Sequence, residues 1–218
     1  PCIIHRMLTG LTLPIRVFAV WQIQCAVELS GQTQPKPTRR PLLTVAVPVY
    51  NELATLLEIH QRILSVPLDL EILYVDDGST DGSRDVLMQQ IAGSDARVRV
   101  VLHDVNQGKG AAIMTAIKHA SGELFIVQDA DLEYEPLDYL SLVKVFGAPD
   151  VQVVYGSRFL KLRHPEHMKL TNWLANRILT ITTKVLIPGA RISDEATCYK
   201  VFRTEMLKQV PLHARRFD

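Results

Sequence analysis

Two carboxylates one residue apart, Asp129 and Asp131, close the apolar run Phe125-Ile126-Val127, and Glu133 follows two positions later. Taking carboxylates out of water is costly unless a cation or hydrogen-bond donors balance them. Asp-x-Asp at the end of a buried strand therefore points to a divalent cation, and hard oxygen ligands favour Mg2+ or Mn2+. Mg2+ usually keeps several waters and shares ligands with substrate phosphates. The expected occupant is thus a metal together with a phosphorylated ligand. Other acidic groups also follow apolar runs: Glu52 comes after Leu42–Val47, and Asp76-Asp77 after Leu70–Val75. In an open α/β sheet such strand ends gather on one edge, where these folds bind ligands. Each group taken alone has an ordinary alternative use. Glu52 suits the first turn of a helix, Asp77 and Asp81 suit turns, and Glu133 serves equally as a turn residue.

Other chemistry-bearing residues point to less. Gly108-Lys109-Gly110 invites a phosphate-loop reading, but neither GxxxxGK[ST] nor GxGxxG is present. That counts against a P-loop NTPase and against a dinucleotide oxidoreductase. His164 and His167 lie in a basic loop and read as solvated. Cys2, Cys25 and Cys198 form neither a CxxC nor an even framework, so a reducing compartment is the simpler expectation.

The elements that must position these residues follow a regular alternation. Strands are expected at Leu42–Val47, Leu70–Val75, Val98–Leu102, Phe125–Val127 and Val151–Tyr155. Helical patterns follow each of the first four: from Asn51 (a cap) through Leu64, about Ser83 to Ile91, after Gly110 to roughly Ala120 with Gly122 as the stop, and from Pro136 with Gly147 after its end. Strands alternating with helices over short connections predict an α/β domain with a largely parallel sheet. Residues 168–187 break the rhythm. Leu170, Trp173, Leu174, Ile178, Ile181 and Val185 share one helical face, with Asn172, Asn176, Thr180 and Thr183 elsewhere. Such a helix either packs on its own domain or lies on an anionic membrane surface, approached by Arg158, Lys161, Arg163 and Lys169.

At 218 residues, 47% hydrophobic and 22% charged, the chain suits one globular domain with an appendage. The formal net charge of +1 conceals a division. Residues 41–157 carry 7 Lys/Arg against 17 Asp/Glu, whereas residues 158–203 carry 9 against 3. One part is suited to cations and the other to anions. Nucleic acid is not an expected partner, since the acidic sheet edge would repel its phosphates. Residues 1–40 read as a leader and linker of uncertain order, too interrupted for a good membrane span. Residues 41–218 read as the domain proper, a fragment expected to continue beyond Asp218.

Six ordered motifs carry a resemblance over about residues 42–218. They are Val47-Pro48-Val49-Tyr50-Asn51-Glu52, Val75-Asp76-Asp77-Gly78-Ser79-Thr80-Asp81-Gly82, Asn106-Gln107-Gly108-Lys109-Gly110, Gln128-Asp129-Ala130-Asp131-Leu132, Gly156-Ser157-Arg158, and the stretch Asp194 to Arg203. Together they resemble the inverting family 2 glycosyltransferases of GT-A fold, a Rossmann-like, mostly parallel sheet flanked by helices. Within that family the chain is most similar to polyprenyl- or dolichyl-phosphate mannosyltransferases and glucosyltransferases. The resemblance implies that Pro48, Tyr50, Glu52, Val75 and Asp77 hold the nucleoside of GDP-mannose or UDP-glucose. It implies that Asp129, Ala130 and Asp131 hold the diphosphate and the Mg2+ or Mn2+, with Glu133 facing the metal. Arg158 would contact phosphate or the acceptor, and Asp194 would sit near the reacting carbon as a candidate base. A polyprenyl phosphate is already largely anionic at neutral pH, its second pKa being about 6, so Asp194 could orient the acceptor rather than deprotonate it. Transfer at the cytoplasmic face of a membrane is implied. The alternatives are transfer to a sugar hydroxyl in polysaccharide synthesis, which would require a base, and an inactive nucleotide-sugar-binding scaffold. Cys198 stands where eukaryotic and archaeal relatives often have Gly and some bacterial relatives share Cys, and the family's later Arg and Lys contacts to the diphosphate are expected beyond Asp218.

Overall fold

The computed structural model describes residues 3–6, 42–148, 150–159, 170–187 and 192–212. Within them the strands are β1 (Ile3–Arg6), β2 (Leu43–Val49), β3 (Leu70–Asp76), β4 (Val98–Leu102), β5 (Leu124–Val127), β6 (Val153–Ser157) and β7 (Lys200–Arg203). The helices are α1 (Leu56–Leu64), α2 (Ser83–Val86, continued by a π turn over Leu87–Ile91), α3 (Lys109–His119), α4 (Tyr139–Lys144), α5 (Leu170–Leu186) and α6 (Thr204–Gln209). The sheet runs β1-β6-β7-β5-β2-β3-β4. β2 pairs in parallel with β3 and β5, and β3 with β4. β7 is antiparallel to both β5 and β6, and β1 is antiparallel to β6. Strands β2 to β6 therefore all point one way, with β7 and β1 opposed.

β2 and β3 read as continuous apolar runs because both faces of the sheet are covered, as the parallel arrangement requires. Val45, Val47 and Val49 turn to one face with Ile72 and Tyr74, beneath Leu56, Ile59 and Ile63 of α1. Ala46, Leu73, Val75 and Phe125 turn to the other, against Ala112, Ala116 and Ile117 of α3 and Leu207 of α6. Gly122 does not stop a helix through a positive φ. A Cβ there would lie 2.6 Å from the Thr44 amide nitrogen, so close approach to β2 is what requires glycine.

Several expectations change. β2 continues through Pro48 to Val49 rather than ending at the proline. Helix α1 begins at Leu56, not Asn51. Asn51 adopts φ 59, a left-handed conformation that asparagine tolerates. Its side chain accepts the Thr80 N–H at 2.8 Å instead of capping a helix. Residues 50–55 thereby become a loop over the strand ends. β7, read in the sequence only as part of a motif, inserts between β5 and β6. Of residues 1–40 only Ile3–Arg6 is described, as an edge strand on β6. His164, His167, Lys161, Arg163 and Lys169 lie outside the described residues.

Helix α5 turns its predicted face outward. Asn176 and Thr180 are its buried residues, flanked by the half-buried Trp173 and Thr183. Leu170, Leu174, Ile178, Ile181 and Val185 are exposed by 53–73%. The helix meets the domain through Asn176 and Thr180 with Trp173 at the margin, and presents the rest of its apolar stripe to the outside.

Candidate active site

The ends of β2, β3 and β5 and the loop before α3 enclose a cleft of about 970 Å3. From β2 come Pro48, Val49, Tyr50 and Glu52; from β3, Asp77; from the loop and first turn of α3, Asn106 to Lys109, Ala111 and Ala112; from β5, Asp129, Ala130 and Asp131. The acidic strand ends thus gather on one edge, as the spacing of strands and helices predicts.

Most of the acidic turn after β3 is committed to holding that edge in shape. Asp77 is 2% exposed. Its Oδ1 accepts the Gln107 N–H at 3.0 Å and its Oδ2 the Gly108 N–H at 2.7 Å. His103 Nδ1 lies 2.7 Å from the same carboxylate, with Nε2 2.9 Å from the Thr115 hydroxyl. A carboxylate oxygen accepts, so Nδ1–H donates to Asp77 and Nε2 is left to accept from the Thr115 hydroxyl. Asp76 is fully buried against Arg84, whose Nε donates at 2.7 Å. Asp81 accepts the Leu53 and Ser83 amides, and Ser83 Oγ in turn accepts the Glu52 N–H at 2.9 Å. Gly78, at φ +77, could carry no side chain, because a Cβ would meet the Asn106 nitrogen at 2.6 Å. Ser79 to Ser83 and Asn51 to Leu53 are laced into one ledge.

The carboxylates left facing the cleft are Glu52, Asp129 and Asp131. Burial first, then the charge of Asp131 and, less strongly, of Asp129, raise the Glu52 pKa above the ordinary carboxylate range. The turn carrying Asp129 and Asp131 is fixed from behind. Gln128 is fully buried, its Oε1 accepts the hydroxyls of Tyr139 and Tyr199, and its Nε2 donates to the Asp129 carbonyl at 2.8 Å. Asp131 Oδ1 accepts the Glu133 N–H at 3.0 Å, and Leu132 takes φ 63 to close the turn. Lys109 Nζ stands 2.6 Å from Asp129 Oδ1. Cys198 lies beside them, an exposed thiol in the field of the Asp129 charge.

Among the described residues no three His, Cys, Asp or Glu side chains come together as a self-sufficient metal cage. Two carboxylates on an open cleft wall instead fit a Mg2+-like ion that completes its shell with phosphate oxygens and water. Glu133 is exposed and lies off the cleft lining, which ends at Asp131. Val75 also lies off it: fully buried, it packs in the core against the α3 side of the sheet.

Arg158 and Asp194 form a second centre, also outside the cleft lining. Asp194 is 0% exposed. Its Oδ2 accepts the Arg158 backbone N–H at 3.0 Å and Nε at 2.8 Å; its Oδ1 accepts Arg158 Nη2 at 3.0 Å and Asn176 Nδ2 at 2.6 Å. Four donors saturate this carboxylate, and the bond to Asp194 raises the Arg158 pKa further above its usual value. Asp194 is thereby an anchor for Arg158 and for α5. Asn176 Oδ1 accepts the Ala196 N–H at 3.2 Å, and Thr180 Oγ1 the Glu195 N–H at 3.2 Å. Tyr134 lies near both centres: its hydroxyl accepts the Cys198 N–H at 3.2 Å, and it interacts electrostatically with Arg158.

Sequence reasoning left Lys109, Gln128 and Asn176 without site roles. Gln128 and Lys109 sit inside quoted motifs and could have been found there. Asn176 carried no signal beyond being a polar residue on a helix.

Known proteins resemble this chain in sequence and in fold. The family model described as glycosyl transferase family 2 matches residues 44–210. The chain is 27% identical over 180 residues to a dodecaprenyl-phosphate galacturonate synthase of Rhizobium johnstonii, covering 81% of this chain and 52% of that protein. It is 36% identical over 175 residues to an undecaprenyl-phosphate 4-deoxy-4-formamido-L-arabinose transferase of Sodalis glossinidius, covering 78% and 52%. The chain spans about half the length of these curated relatives. Among solved structures, glucosyl-3-phosphoglycerate synthase from Mycobacterium tuberculosis in complex with uridine diphosphate superimposes with a TM-score of 0.58 at 22% identity, covering 81% of this chain and 61% of that one. That likeness is one of fold, and the mostly parallel sheet flanked by helices is the GT-A arrangement.

Proposed function

Since the chain belongs to glycosyl transferase family 2, we propose that it transfers a hexose, mannose or glucose, with inversion from GDP-mannose or UDP-glucose to a polyprenyl or dolichyl phosphate. The reaction would take place at the cytoplasmic face of a membrane. The observation that carries the donor half is the convergence of Glu52, Asp129 and Asp131 with Lys109 on the cleft wall. The acceptor half is supported by two relatives whose names specify polyprenyl-phosphate transfer and by the outward apolar face of α5.

Pro48, Tyr50 and Glu52 hold the nucleoside in this reading, and Asp77 shapes that pocket through the 107–108 amides. Asp129 and Asp131 are the side chains that would hold Mg2+ or Mn2+, which when bound neutralises charge developing on the departing diphosphate. Glu133 is left to the turn. Arg158, fixed by Asp194, contacts the acceptor phosphate. A lipid phosphate with a second pKa of about 6 is already largely anionic at neutral pH, so the saturated Asp194 need accept no proton. α5 lays its apolar stripe on the membrane surface. No helix among the described residues is long and apolar enough to cross a membrane.

Full-length protein given labelled GDP-mannose or UDP-glucose and polyprenyl phosphate should move label into the organic phase. Asp131→Ala should abolish both the transfer and Mn2+-dependent nucleotide binding by calorimetry, with the fold intact. Label appearing in soluble glycans and not in lipid would overturn the acceptor assignment. Undiminished Mn2+-dependent binding would overturn the metal assignment.

A further inference from the structure

The contact between Lys109 and Asp129 is poorly explained as scaffolding. Lys109 is the first residue of α3, where the helix dipole favours anions and disfavours a cation. Both side chains face the cleft, 36% and 13% exposed, and pairs that remain partly in water contribute little to stability. What the ammonium does is compensate charge. Glu52, Asp129 and Asp131 all line the cleft, the two aspartates raise the Glu52 pKa, and the ammonium sits 2.6 Å from Asp129. A divalent cation held by Asp129 would have to share that carboxylate with the ammonium. A lysine on a long stem can leave that position by rotamer changes alone, and the start of α3 beside it offers further N–H groups to an anion.

We propose that Lys109 is a tethered counter-ion, occupying Asp129 while the donor site is free and moving to the diphosphate when nucleotide and metal enter together. This rests on the donor-site reading above. A metal ion arriving alone must compete with the lysine for Asp129. A diphosphate draws the lysine away and delivers further oxygen ligands to the metal. Metal and nucleotide therefore strengthen one another, and by linkage the gain is the same whichever binds first. Lys109 is on this account a donor-binding residue that also sets the order of events, keeping the free enzyme from filling with divalent cation.

The test uses the full-length protein and calorimetric titration with Mn2+ alone, and with UDP and GDP in the presence and absence of Mn2+. Lys109→Met should bind Mn2+ alone more tightly than wild type, by about fivefold or more. With Mn2+ present it should bind its nucleoside diphosphate about tenfold more weakly, the size expected for one charged hydrogen bond. Asp129→Asn releases the lysine, so metal-free binding of UDP or GDP should strengthen, and that gain should vanish in Lys109→Met/Asp129→Asn. Circular dichroism establishes that each variant is folded, and Lys109→Gln replaces Lys109→Met if the latter is not. Unchanged Mn2+ affinity on removal of the lysine charge, or an Asp129→Asn gain that survives in the double variant, overturns the proposal. Wild type that binds neither UDP nor GDP with Mn2+ overturns the donor-site reading itself.

Discussion

Replacing Asn176 by leucine tests which way α5 faces. The helical pattern places leucines and isoleucines on one stripe, and burial of that stripe would make Asn176→Leu neutral and Leu174→Asn costly, about 3 kcal/mol for a core aliphatic position. The structure reverses both expectations. Asn176 is 3% exposed and donates to the buried Asp194 carboxylate at 2.6 Å while accepting the Ala196 N–H at 3.2 Å. Loss of a hydrogen bond to a charged group costs about 1.5–3 kcal/mol. Water can replace the acceptor for Ala196, which is exposed, and the added leucine methyls recover part of the loss. A net cost of about 2 kcal/mol follows, which lowers Tm by roughly 4–8 °C in a chain of this size. Leu174, 53% exposed, should tolerate asparagine within about 0.5 kcal/mol. Thermal unfolding by circular dichroism reads both values. Hydrogen exchange should show faster opening of α5 and of residues 192–196 in Asn176→Leu alone. Leu174→Asn should instead weaken binding to anionic vesicles. A neutral Asn176→Leu combined with a destabilising Leu174→Asn would refute the orientation and with it the membrane-facing role of the stripe.

Two further outcomes are expected. Asp194→Asn places an NH2 group against donors from Arg158 or Asn176, so it should destabilise the protein by about 3 kcal/mol, the low end for breaking a buried pair, and raise the KM for the lipid acceptor. A fall in kcat with stability and KM unchanged would show instead that the carboxylate acts on a proton. For Glu52, burial and the neighbouring aspartates raise the folded-state pKa, so its ionised form is disfavoured in the folded protein. That penalty is present above the folded pKa and is relieved as pH falls through it. Glu52→Gln should therefore raise Tm of the ligand-free protein at neutral pH and lose its advantage near pH 3, below the ordinary carboxylate range. An equal gain at both pH values would mean that neither burial nor the neighbouring aspartates raise the Glu52 pKa.

How much of this was legible beforehand depended on the range over which each residue acts. The continuous apolar runs of β2, β3 and β5 and the helical patterns of α1 and α3 are local, and because parallel strands deliver their C-terminal ends to one edge, Glu52, Asp77, Asp129 and Asp131 could be assigned to a common cleft from the chain alone. The carboxylates themselves could not be sorted that way. Asp76 and Asp81 resemble Asp131 in sequence, yet Arg84, Ser83 and Leu53 engage the first two and leave the third facing the cleft. Whether Asn51 caps a helix or accepts from Thr80 depended on a partner 29 residues away, and β7 depended on a gap between β5 and β6 that no short apolar segment announces.

The sequence by itself determined the alternation of elements, the acidic edge and the presence of an amphipathic helix. The tertiary structure decided that Asp194 is saturated, that Lys109 stands on Asp129, and that α5 turns its polar side inward. Periodicity records which residues share a face. What that face meets is set by the saturated carboxylate of Asp194, for which only a polar stripe could supply a donor.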